Sequence, residues 1–194
     1  MAKGLKRIVD LVVSLILLVL VGPVMLIIAI AVVWDSPGEV FFRQTRAGLR
    51  RREFKVIKFR SMKHWGPGES HVTSSNDPRV TRVGRFLRQR SLDELPQLIN
   101  VLKGDMSLVG PRPLLLESIR PEEMVRLEMR PGVTGLVAVS GRQSLPWDRR
   151  MMLDCWYVQN WNIWLDVRIL LRTIPVVLSQ ANVYDADGEA KARS

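Results

Sequence analysis

Asp93 and Glu94 are adjacent carboxylates inside a stretch, residues 88–113, that also carries Arg88, Arg90 and Arg112. An ionised carboxylate can attack an electrophile, and an arginine can grip two phosphate oxygens at once. Such a group would bring a nucleophile and a phosphorylated ligand to one place. The local pattern puts the pair at a helix start. Ser91 with Glu94 has capping-box spacing, Leu95, Leu98, Ile99 and Leu102 recur at helical intervals, and Gly104 supplies the stop. Pro96 fits best within the first turn, a frame that favours Asp93 itself as the N-cap. In either frame the carboxylates sit at the positive end of the helix dipole, which also attracts phosphate. The plainer alternative is that they only cap a helix, and on this stretch alone that alternative is favoured.

The rest of the chain supplies context. Its 194 residues make room for one compact domain plus a membrane element, and a formal charge of +10 calls for anionic partners: nucleic acid, anionic lipid or a phosphorylated substrate. One cysteine, Cys155, excludes an intramolecular disulfide, and with only His64 and His71 beside it no zinc-type cluster is available. Residues 8–34 are almost wholly apolar, long enough for a membrane helix, with no small-residue cleavage site after them. Lys3, Lys6 and Arg7 precede this segment, and Arg43, Arg46 and Arg50 to Arg52 follow it. Basic residues on both sides suit a helix that enters, turns at Gly22-Pro23 and returns, although an ordinary spanning helix with a mild kink fits these residues equally well.

Residues 40–44 and 53–59, joined by a turn near Ala47-Gly48, predict a β-hairpin whose Lys55, Lys58 and Arg60 could face a phosphate. Arg50 to Arg52 read as a solvated face beside anionic headgroups. Residues 64–78 are rich in Gly, Pro, Ser, Thr and Asn and predict a loop, inert or a lid. Arg79, Arg82, Arg85 and Arg88 form a basic stripe leading to Asp93. Pro121-Glu122-Glu123 opens a helix that turns Met124 and Leu127 inward, residues 133–139 predict a buried extended segment, and 140–143 a polar turn presenting Arg142. Near the end, Ile163, Val167, Leu170, Leu171, Ile174 and Leu178 recur at helical spacing after four tryptophans, with Arg168 and Arg172 on another side. That pattern suits a helix lying in the headgroup layer, or simple core packing. The tail beyond Tyr184 is expected to be disordered.

Taken in order, the runs Phe-Lys-Val-Ile-Lys-Phe-Arg-Ser-Met from Phe54, Asp-Pro-Arg-Val-Thr-Arg from Asp77, Ser-Leu-Asp-Glu-Leu-Pro-Gln-Leu-Ile-Asn from Ser91, Gly-Asp-Met-Ser from Gly104, Gly-Pro-Arg-Pro from Gly110, Pro-Gly-Val-Thr-Gly from Pro131, and Gly141-Arg142 resemble the bacterial sugar transferases, the monotopic phosphoglycosyl transferases. The likeness covers nearly the whole chain. With one hydrophobic segment ahead of the catalytic part, it is similar to the small class.

The resemblance implies an α/β, mostly helical fold. A re-entrant membrane helix (1–36) would lead a compact cytoplasmic catalytic domain (37–184) with a small β-hairpin and interfacial amphipathic helices, ahead of the tail (185–194). It also implies transfer of a sugar-1-phosphate from a UDP-sugar to polyprenyl phosphate, with release of UMP, on the cytoplasmic face of the bacterial inner membrane. Asp93 would be the nucleophile and a ligand of Mg²⁺, Glu94 its partner, and Arg112 a phosphate clamp. Arg88, Arg142, Lys58, Arg60 and Arg79 would serve as further phosphate contacts. Membrane lipids, and a second copy in a homodimer, are admitted as partners; nucleic acid is not. Two departures stand out: Gly22-Pro23 replaces the family's Ser-Pro, and Gly141-Arg142-Gln143 replaces its Gly-Arg-Asn. The rival reading is a non-catalytic, basic, membrane-associated binding module, which would be indifferent to loss of Asp93. A glycosidase using the two carboxylates fits poorly, because that chemistry sets its pair across a sugar from separate elements.

Overall fold

The computed structural model describes residues 2–63 and 77–179. Its longest element is α1 (Ala2–Asp35), 34 residues, which spans about 51 Å if straight. One stripe of it faces the protein. Lys6, Asp10, Ser14, Ile28 and Val32 are buried along this stripe, and Val13, Leu18, Val21 and Met25 pack against the core between them. The opposite side exposes Ile8, Val12, Leu15, Ile16, Val19, Leu20, Ile27 and Ile30. Where the sequence predicts a break, the backbone stays helical through Gly22 and Pro23. A side chain at Gly22 would meet nothing within 4 Å, so no close approach requires glycine there.

Both ends of α1 are tied to the same body. Near its start, the Lys6 ammonium donates to the Val109 carbonyl at 2.9 Å and to Asp166 at 2.6 Å. Asp166 also accepts from the Tyr157 hydroxyl at 2.6 Å and the Trp161 indole at 3.0 Å. Asp10 accepts the Leu108 N–H at 3.0 Å and the Ser107 hydroxyl at 2.7 Å. Near its end, Ile28 and Val32 pack with Phe59 and Leu87, and Asp35 accepts the Val83 N–H at 2.8 Å.

After α1 comes the hairpin, β1 (Phe41–Ala47) and β2 (Glu53–Phe59), antiparallel with Phe41 opposite Phe59 and Ala47 opposite Glu53. The outer edge of β2 is met by a side chain. Asn100 Oδ1 accepts the Ile57 N–H at 3.0 Å and its Nδ2 donates to the Lys55 carbonyl at 2.9 Å, where a third strand would otherwise bond. Next is α2 (Arg82–Gln89), capped by the Thr81 hydroxyl, which accepts the Gly84 N–H at 2.9 Å. Then α3 (Gln97–Lys103) ends at Gly104, whose φ of 93° is the left-handed stop the sequence predicts.

A second, parallel pair joins β3 (Ser107–Val109), which the sequence does not predict, to β4 (Gly132–Thr134), which overlaps the start of a predicted extended run. The predicted extended run 133–139 is accordingly corrected: it ends at Thr134, and α4 (Leu136–Val139) is a single helical turn. Residues Pro121–Glu128 form 3-10 rather than α-helix, though Leu127 is buried and Met124 packs on the core as expected. The described residues close with α5 (Trp147–Gln159) and α6 (Ile163–Ser179). Tyr157 and Ile169 from these helices meet Leu98, Leu108, Val109 and Met129 in the core. Outward, α6 exposes Trp164, Val167, Leu171, Ile174 and Leu178. The architecture is mostly helical with small sheets, as expected. Most of the predicted loop, with His64 and His71, and the tail lie outside the described residues.

Candidate active site

The dyad sits in a 3-10 turn, Leu92–Glu94, that leads through Leu95 and Pro96 into α3. Its carboxylates therefore do lie at the start of a helical run, but the predicted caps are corrected. Ser91 has φ 56° and caps nothing with its side chain, and the residue at the N-cap of α3 is Pro96. Instead the Ser91 hydroxyl accepts a bond from Arg142 at 2.8 Å. Arg142 itself has φ 53°. Two non-glycine residues in left-handed backbone, joined by one hydrogen bond beside paired carboxylates, are the local strain expected of a functional site.

Glu94 is engaged by Lys58 of β2 at 2.7 Å, both side chains being part-exposed. The Asp93 carboxylate has no other side chain as a hydrogen-bond partner among the described residues, and accepts from its own N–H. Their electrostatics differ. Burial pushes the Asp93 carboxyl above the usual range, Lys58 pulling the other way and Glu94 adding to the rise. Burial acts on Glu94 too, but Lys58, Arg112 and Arg142 outweigh it and hold that carboxyl below the usual range. Adjacent carboxyls whose affinities for a proton are driven apart are suited to separate roles.

Around the pair the structure gathers Lys58, Arg88, Arg112 and Arg142. The charge of Arg88 bears on Asp93, and its Nε is steadied by the Ser61 hydroxyl at 2.8 Å. Arg112 is exposed, yet its charge bears on Glu94 and Arg142. Arg46 of β1 joins this field, its guanidinium pushed down to about 10 by burial and by Arg112. No local motif around Arg46 marked it for the site. The hairpin register could have found it, since Arg46 and Lys58 lie on paired strands whose other basic residues are exposed.

Three predicted contacts are engaged elsewhere. Arg60 donates to the carbonyls of Pro37, at 3.1 Å, and of Ser36. Arg79 is held by Asp77 through bonds of 2.6 to 3.1 Å. Arg90 lies 4.0 Å over the Phe86 ring.

The segment carrying Arg112 is placed by backbone crossing. A Cβ on Gly110 would come within 2.3 Å of the Arg130 carbonyl oxygen, one on Gly132 within 2.1 Å of the Gly110 nitrogen, and one on Gly135 within 2.2 Å of the Gly110 oxygen. These glycines let β3 and β4 meet and turn the following Pro111-Arg112-Pro113 toward the dyad; they carry no chemistry themselves. Among the described residues no group of three or more His, Cys, Asp or Glu gathers around a point. A Mg²⁺ ion needs no such cage, because it commonly takes one or two carboxylates plus water and substrate phosphates. Asp93 with Glu94 fits that pattern.

The family model described as bacterial sugar transferase matches residues 1–180. The chain is 44% identical to the UDP-glucose:undecaprenyl-phosphate glucose-1-phosphate transferase of Caulobacter vibrioides, over 92% of this chain and 72% of that protein. It is 41% identical to the undecaprenyl-phosphate galactose phosphotransferase of Salmonella typhimurium, over 94% of this chain and 42% of that protein. Against the Escherichia coli UDP-glucose:undecaprenyl-phosphate glucose-1-phosphate transferase the identity is 43%, over 88% of this chain and 39% of that protein. The chain thus spans less than half of the two longer relatives.

Proposed function

Because the chain belongs to the bacterial sugar transferase family, we propose that it is a glycosyl-1-phosphate transferase moving a sugar-1-phosphate from a UDP-sugar to undecaprenyl phosphate and releasing UMP. The observation that carries this reading is the Asp93-Glu94 pair at a helical start, ringed by Lys58, Arg88, Arg112 and Arg142. Two carboxylates alone would repel a diphosphate. Four cations around them reverse that balance and hold phosphate oxygens within reach of Asp93.

In the first half-reaction an Asp93 oxygen forms a bond to the sugar-bearing phosphorus, the P–O bond to UMP breaks, and UMP leaves with the electron pair. The phosphosugar then rests on Asp93 as an acyl phosphate. In the second, an oxygen of undecaprenyl phosphate bonds to that phosphorus and the carboxylate is returned. The acceptor is already an anion at neutral pH and needs little help from a base, so a carboxylate here is better used as a nucleophile. Glu94, kept ionised by Lys58, Arg112 and Arg142, orients those cations. Mg²⁺ held by Asp93, with Glu94 beside it, would neutralise diphosphate charge and favour the ionised form of Asp93.

The packing of α1 supports a monotopic seat, and the basic residues flanking residues 8–34 suit the cytoplasmic face. A helix crossing the bilayer puts its ends on opposite sides, about 30 Å of hydrocarbon apart, yet Lys6 and Asp35 both bond to one body. The exposed apolar residues of α1 and α6 would then meet lipid. The binding-module reading makes no use of the dyad. Intact-mass measurement after mixing the protein, Mg²⁺ and each of a panel of UDP-sugars without acceptor tests the proposal: a sugar-phosphate adduct is expected, absent in Asp93→Asn. UMP formed only with acceptor present, and no adduct, would refute the covalent route.

A further inference from the structure

The main chain of Arg112 is gripped by two side chains that stand behind it. Asp154, on α5, accepts the Arg112 N–H at 3.2 Å. Arg126, from the 3-10 segment Pro121–Glu128, donates through one nitrogen both to Asp154 at 2.5 Å and to the Arg112 carbonyl at 2.7 Å. Both polar groups of one exposed residue are thus tied to a single ion pair whose side chains are 1% and 2% exposed. Pro111 and Pro113 fix the backbone on either side, and neither has an N–H to offer. Arg112 is the one residue of the three whose amide can be held.

That arrangement is an expensive way to fill a core. Buried ion pairs are often no more stabilising than apolar residues of the same volume. Here the Nε and Nη1 of Arg126 are buried without a hydrogen-bond partner among the described residues, and burial pushes Asp154 up to about 6 against the pull of Arg126. Leu127, Met129, Leu114 and Ile119 already supply apolar packing around it. What the pair does that they cannot is fix one amide and one carbonyl together.

We propose that Asp154 and Arg126 are positioning residues that hold the backbone of Arg112 so that its guanidinium is presented to the phosphoryl group at the dyad. The inference rests on the reading of Arg112 as a phosphate contact. A guanidinium displaced by an ångström loses its two-point grip, so disturbing the clamp should imitate loss of Arg112 itself.

The test is a double-mutant cycle on the full chain in detergent, following UMP release with UDP-glucose, UDP-galactose and undecaprenyl phosphate. Asp154→Asn is expected to lower kcat/KM about tenfold in the parent and less than about twofold when Arg112→Ala is already present. A role confined to stability would give the same factor in both backgrounds and would overturn the inference. Should Asp154→Asn fail to fold, the charge-free pair Asp154→Leu with Arg126→Met leaves no buried charge alone and enters the same cycle. Arg126→Lys, which keeps a donor and the charge, should recover part of what Arg126→Met loses. An Arg112→Ala protein with parental kinetics would bring down the phosphate-contact reading and this inference with it, whereas an impaired Arg112→Ala with equal factors removes the inference alone.

Discussion

Replacing Lys6 by methionine should destabilise the protein, and adding Asp166→Asn should give part of that stability back. The Lys6 ammonium bonds to Asp166 at 2.6 Å and to the Val109 carbonyl at 2.9 Å, with the two charged side chains 9% and 6% exposed. Removing one partner of such a buried pair costs about 3–5 kcal/mol, much of it from the charge left behind. The low end applies, because Tyr157 and Trp161 still donate to the orphaned carboxylate. For a chain of this size about 3 kcal/mol corresponds to a fall in Tm of roughly 6–12 °C. Asparagine at 166 removes the lone charge and can satisfy its neighbours. Its oxygen accepts from Trp161, its NH2 donates to the Tyr157 oxygen, and the Tyr157 hydroxyl turns to the Val109 carbonyl, already 3.3 Å away. Of the lost stability, about 1–2 kcal/mol should return. Thermal unfolding in one detergent, scanned at a single rate, reads all three proteins. An unchanged Tm for Lys6→Met, or a double variant less stable than the single, would refute the reasoning.

Other outcomes are expected from the same geometry. Lys58→Met should move the acid limb of the pH–activity profile upward: Lys58 favours the ionised forms of both Asp93 and Glu94, so without it each takes up a proton at higher pH and activity fails sooner as pH falls; an unmoved limb argues against a role for those charges. Activity should vanish in EDTA and return with Mg²⁺, and full turnover in chelator would remove the metal from the mechanism. Cysteines introduced at Lys3 and Arg50 in a Cys155→Ser background should label from the same side of the membrane, opposite-side labelling being the result that excludes the monotopic seat.

The hairpin, the stop at Gly104 and the amphipathic α6 were legible because each rests on local chemistry: alternating strand residues, a glycine in left-handed backbone, a helical repeat. The dyad and its cations were legible as residue types. What was not legible was how they are held. Ser91 with Glu94 has the spacing of a capping box, but Arg142 arrives from 51 positions away and takes the serine hydroxyl. Arg60 and Arg79 match basic motifs, yet carbonyls and Asp77 engage them. β3 and its pairing with β4 escaped notice because a three-residue strand leaves no periodicity to find, and what marks the pair is a backbone crossing at Gly110 and Gly132. At Ser91, at Arg60 and at the β3–β4 pair a long-range contact overrides a local preference, whereas Arg79 is held from only two positions away.

The junction of Lys6 with Asp166 also sets a clock on synthesis. These partners are 160 positions apart; at roughly 5–20 residues per second the helix emerges on the order of ten seconds or more before its counter-charge exists. Asp10 waits for Ser107 and Leu108, 97 and 98 positions on, and Lys6 waits longer for Asp166; until then both ride in an apolar helix, and the cost of carrying them into hydrocarbon works against the helix settling across the bilayer. A helix made late, α6, therefore fastens α1 through Lys6, which also bonds Val109 directly before the loop that delivers Arg112. A ribosome-bound fragment ending before α6 should remain inactive while already containing every residue of the dyad and its ring of cations.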